Sequence, residues 1–76
     1  MNNSHIPLEE MLNDLKITNE EIKEFEEENK VLSKNRERNR VQIYMNEGRI
    51  LQRQKFVFQL EQVIEETYPK YKTNKL

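Results

Sequence analysis

Ile43, Ile50, Val57 and Ile64 recur every seven residues near the end of this chain. Upstream, Ile22, Phe25, Asn29 and Leu32 alternate three and four residues apart. Both spacings are those of a helical seam that packs against another helix, with Asn29 as one polar layer. The same register passes through Arg36 and Asn39, where the seam turns polar, before it resumes at Ile43. A chain built on this repeat is expected to be all-α. The β reading it must exclude is a hairpin around Gly48, because Val41, Ile43 and Met45 alternate with other residues, as do Phe56, Phe58 and Leu60. That α+β arrangement stands as the alternative.

Three helices are expected along the chain. Ser4 is a candidate N-cap and Pro7 suits a first helical turn, where its missing N–H costs nothing. Leu8, Met11, Leu12 and Leu15 then share one face, which predicts a short helix over 7–15. Thr18 and Glu21 have the spacing of a capping box, and Ile17 and Ile22 that of its hydrophobic staple, so a second helix is expected to start near Asn19. Its end is expected within the polar stretch 34–39, the alternative being one uninterrupted helix from Asn19 to Thr67. A last helix is expected over 41–67, stopped by Pro69. The whole forms one domain over 1–76, with flexible ends at 1–6 and 69–76.

Charge argues for folding the two long segments back on each other. Residues 1–33 carry nine acidic and three basic side chains, a net of −6; residues 34–76 carry five and ten, a net of +5. An antiparallel hairpin sets the acidic run Glu20–Glu28 near Arg49, Arg53 and Lys55, whereas straight parallel helices would set acid beside acid. Each exposed pair contributes only about 0–1 kcal/mol, so the preference is modest.

The last helix is apolar on several sides. At 100° per residue, Ile43, Ile50, Val57 and Ile64 form one stripe, and Tyr44, Leu51 and Phe58 a second about 100° away; Phe56 and Val63 lie on a third side. One short helix and one charged helix cannot cover all of this. A chain of this size also buries a marginal core and ordinarily needs a disulfide, a metal or a partner chain. With no Cys and one His, a partner is the remaining support. Self-association as a homodimer or higher oligomer is therefore expected, with Ile43, Ile50, Leu51, Phe56, Val57, Phe58, Leu60 and Ile64 as the interface to itself or to another protein.

Chemistry beyond binding is not indicated. Ser4 and Ser33 have no base at a recognisable spacing, the Glu26–Glu28 run has no His to complete a metal set, and no glycine-rich loop exists to cradle a phosphate. No enzyme activity and no cofactor are expected. The N-terminus lacks the basic start and apolar run of a secretory signal, and no apolar stretch could span a membrane, so a cytoplasmic location is expected.

Lys34, Arg36, Arg38 and Arg40 crowd into seven residues, and Arg49, Arg53 and Lys55 extend the basic surface. Nucleic-acid contact by Arg36, Arg38, Arg40, Arg49 and Arg53 is the alternative function. Glu37-Arg38-Asn39-Arg40-Val41 resembles the basic region of basic helix-loop-helix transcription factors, in which the Glu and its flanking Arg residues read major-groove base edges. The proline-bearing loop and second helix of that family have no counterpart here, and the preceding segment is acidic. The favoured expectation is a small helical interaction module acting as a regulator, inhibitor or assembly factor through a coiled-coil-like oligomer.

Overall fold

The computed structural model describes residues 8–70 and contains two long helices joined by a tight bend. Helix α1 runs Leu8–Leu32 and helix α2 runs Arg40–Thr67, with a short 3-10 turn at Ser33–Asn35 between them. The helices pack against each other as a hairpin. No strand occurs among the described residues, and Gly48 lies inside α2. The expectations placed on Ser4, Pro7 and the chain ends at 1–6 and 71–76 lie outside the described residues.

One expectation needs correction. The short helix over 7–15 and the capped helix from Asn19 are a single helix, uninterrupted through residues 16–19. Thr18 is helical and buried, so it caps nothing. The physical reason is the spacing of Met11, Leu15, Thr18 and Ile22, at intervals of four, three and four. These are the buried residues of α1, and together they form the seam that faces α2. Packing along that seam holds the helix together where the local capping pattern alone would have ended it. A hydroxyl that packs instead of capping leads to a testable sign. Thr18→Val should raise the thermal midpoint, because a seam hydroxyl is exchanged for a methyl. Loss of a working N-cap would instead cost about 1 kcal/mol and lower it.

The seam of α1 therefore runs Leu8, Met11, Leu15, Thr18, Ile22, Phe25, Asn29, Leu32. That of α2 runs Ile43, Asn46, Ile50, Arg53, Val57, Leu60, Ile64. The apolar core sits toward the open end of the hairpin. There Met11, Leu15 and Ile64 are buried together, with Leu8, Leu12, Val57, Leu60 and Tyr68 packed around them. Toward the bend the seam becomes polar. Asn46 is fully buried, and all four of its hydrogen-bonding positions are used. Its Nδ2 donates to Asn29 Oδ1 (2.9 Å) and Glu28 Oε1 (3.1 Å), while its Oδ1 accepts from Gln42 Nε2 and Arg49 Nη1. Asn29 Nδ2 in turn donates to the carbonyl of Ile43 at 3.2 Å. An Asn pair inside an apolar seam sets register, because sliding one helix would separate Asn46 Nδ2 from Asn29 Oδ1 and Asn29 Nδ2 from the Ile43 carbonyl.

The bend falls where the polar stretch predicted a break. It uses neither glycine nor any positive φ. Two asparagines shape it instead. Asn39 Nδ2 donates back to the carbonyl of Leu32 at 3.0 Å, and Asn35 Oδ1 accepts from the backbone N–H of Arg38 at 3.2 Å. Helix α2 ends at Thr67, two residues before Pro69. Neither helix is long and apolar enough to cross a membrane.

Candidate functional site on the outer face of the second helix

Folding the hairpin divides the apolar residues of α2 into two sets. Ile43 and Ile64 are buried, and Ile50, Val57 and Leu60 are half-buried along the seam. These five, expected as an interface to another chain, are placed by the fold against α1 of the same chain. Leu51, Phe56 and Phe58, from the same expected set, stay exposed.

The exposed set has its own geometry. Val41, Tyr44, Gly48, Leu51, Lys55 and Phe58 follow each other at intervals of three and four, and all six are exposed. They form a stripe along the side of α2 turned away from α1. Val41 is 70% exposed, Leu51 65% and Phe58 59%. A second group, Met45, Phe56 and Val63, stands on the opposite flank of α2 and is also exposed. Exposure of single apolar residues is ordinary, but a row of them along one helix face marks a place where another surface packs. Helix α1 has nothing comparable. Its outward positions are largely charged, among them Glu20, Lys23, Glu24 and Glu27, with Ile17 and Val31 the large apolar exceptions. Val41, Tyr44, Gly48 and Lys55 are not among the residues expected at the interface. Their signal in the sequence is the three–four spacing that ties them to Leu51 and Phe58.

The basic residues are split by the fold. Arg53 is occupied inside the hairpin. Its Nε donates to Glu21 Oε1 at 2.9 Å, its Nη1 to the carbonyl of Arg49, and its guanidinium lies 5.0 Å from the centre of the Phe25 ring. Arg49 stands 5.8 Å from the same ring. Phe25 thus carries two cations on its face. Of the three basic residues that the charge segregation set near the acidic run, Arg53 pairs with Glu21 and Arg49 lies over Phe25, whereas Lys55 is exposed on the outer stripe. The Arg53–Glu21 pair is partly exposed, so its contribution to stability is small, about 0–1 kcal/mol. Arg36, Arg38 and Arg40 sit at the bend, all exposed, and Arg36 donates to Ser33 Oγ at 3.1 Å. A cleft of about 150 Å³ opens there between Arg36, Glu37, Arg40, Ile43 and Tyr44. The five arginines expected as a nucleic-acid surface are therefore not one patch. Three lie at the bend, and two are engaged with Phe25, Glu21 and Asn46.

Compared with known proteins, the chain matches no family model, no curated sequence and no solved structure. The fold and the surface define its class: an antiparallel helical hairpin with an apolar outer stripe.

Proposed function

We propose that this protein is a helical interaction module, acting by binding another protein surface through the outward face of α2, as a small regulator, inhibitor or assembly factor does. The observation that carries this reading is the exposed row of Val41, Tyr44, Leu51 and Phe58, with Gly48 and Lys55 between them. Among the described residues, no further element covers that row. Aromatic side chains on such a row are the residue types that dominate the energy of protein interfaces. The nucleic-acid reading has less support, because Arg49 and Arg53 are held within the hairpin.

Photo-crosslinking in the cells that make the protein tests the proposal. A photoreactive side chain at position 51 is expected to yield adducts with protein, whether another chain or a second copy. The same group at position 27, on the charged outer side of α1, is expected to yield few. Equal yields at the two positions, or none at 51, would remove the reason for assigning binding to this face.

A further inference from the structure

We infer that the outer stripe of α2 is a self-complementary surface that takes a second copy of the same chain, α2 against α2 in antiparallel orientation, giving a four-helix assembly. This rests on the reading of that face as an interaction surface and goes further by naming its partner and geometry. Three observations on the stripe point the same way.

The first is Gly48. It lies in mid-helix with a negative φ, and a Cβ built on it would meet nothing within 4 Å. Nothing inside the hairpin requires a glycine there, and a mid-helix glycine costs about 1 kcal/mol relative to alanine. Against a second helix the missing side chain becomes a recess in the centre of the stripe. One turn away stands Leu51, the second most exposed large apolar residue of the described chain. Setting Leu51 of each copy into the Gly48 recess of the other generates a two-fold axis level with Arg49 and Ile50.

The second observation is what this axis does to the other stripe residues. Val41 of one copy comes level with Phe58 of the other, and Tyr44 with Lys55, whose methylene stem and ammonium suit an aromatic face. Every apolar member of the stripe gains an apolar or aromatic-compatible neighbour, and by symmetry each contact occurs twice.

The third is charge along the flanks. Arg40 opens α2 and Arg38 stands in the bend just before it, while Glu61 and Glu66 lie toward the C-terminal end of α2. Antiparallel pairing about this axis brings Arg40 level with position 59 of the second copy, two residues from Glu61, and Arg38 lies farther out, toward the Glu66 end. Parallel pairing would place arginine beside arginine and glutamate beside glutamate. The arginines at the bend then serve as electrostatic guides to orientation.

Two measurements on the purified full chain test this. Sedimentation at micromolar concentration should give twice the 9.3 kDa chain mass. Leu51→Glu should return it to a single chain with an unchanged helical circular dichroism signal, its dimer dissociation constant rising roughly 100-fold or more because two copies of Leu51 are lost from one interface. Orientation is read by disulfide trapping, which is clean because the chain has no native Cys. A mixture of Val41→Cys and Phe58→Cys chains should form the mixed disulfide in preference to either like pair. Dominance of the Val41→Cys like pair would overturn the antiparallel arrangement. A wild-type chain that stays single would overturn self-pairing altogether. If position 51 still crosslinks to a different protein in cells, the interaction-module reading survives that result; if it crosslinks to nothing, both fail.

Discussion

Ile64→Asp is expected to unfold the hairpin. Ile64 is 0% exposed and belongs to the core with Met11 and Leu15. Truncating a buried Ile costs about 2–5 kcal/mol, and an uncompensated carboxylate in its place adds a desolvation penalty of several more. The stability of small domains is commonly only about 5–15 kcal/mol, and this two-helix core lies at the small end of the size range. The substitution should therefore remove most of the helical signal at 222 nm at room temperature, along with any cooperative melting. Val63→Asp, one residue away, is the control. Val63 is exposed, so the same charge there should leave the helical signal in place. A variant at position 64 that still melts cooperatively would mean that the open end of the hairpin is not where its stability lies.

That contrast between adjacent positions was readable in advance only in part. The seven-residue spacing of Ile43, Ile50, Val57 and Ile64 announces one buried stripe, and the fold puts that stripe against α1. The bend also falls where the seam turned polar, at Arg36 and Asn39. Asn29 shows as a polar seam layer from its spacing alone, but Thr18 and Asn46 do not. Thr18 reads locally as a cap because Glu21 follows it at the right distance, and only the distant helix reveals that it is one of a row with Met11, Leu15 and Ile22. Asn46 reads as turn-forming because Gly48 stands beside it. It is in fact the most completely hydrogen-bonded side chain of the seam, and two of its four partners, Glu28 and Asn29, come from α1 across the helix pair. Local pattern rules weigh a residue by its neighbours in sequence. A polar seam position is defined by its partner across the helix pair, and one chain read in order does not show that partner. The outer stripe was legible for the opposite reason, since Tyr44, Leu51 and Phe58 need no partner to be recognised as apolar and aligned.

Replacing Asn29 and Asn46 together by Leu is expected to stabilise the helices and loosen the choice of structure. Removing Asn29 and Asn46 together removes each amide with its partner across the seam, half-exposed Gln42 can bond to water in place of Asn46 Oδ1, and the new side chains add apolar burial in the seam. A gain of about 2 kcal/mol would raise the thermal midpoint of a chain this size by roughly 10 °C or more. Asn46→Leu alone should fall well short of the double variant, because Asn29 Oδ1 then loses its 2.9 Å donor within the seam. The cost appears in specificity. The three–four spacing of the α1 seam continues through Arg36 and Asn39 into that of α2, and the bend contains no glycine, proline or positive φ to enforce it. With the Asn pair present, the folded-back register bonds Asn46 to Asn29 and Asn29 to the Ile43 carbonyl, which a slipped hairpin does not reproduce. With leucines in its place, slipped hairpins and straight helices paired between chains bury the same kind of surface. Sedimentation of the double variant should accordingly resolve more than one mass where the native chain gives one. A single mass together with the higher midpoint would show that the asparagine bonds at the bend, from Asn35 and Asn39, select the hairpin without help from the seam.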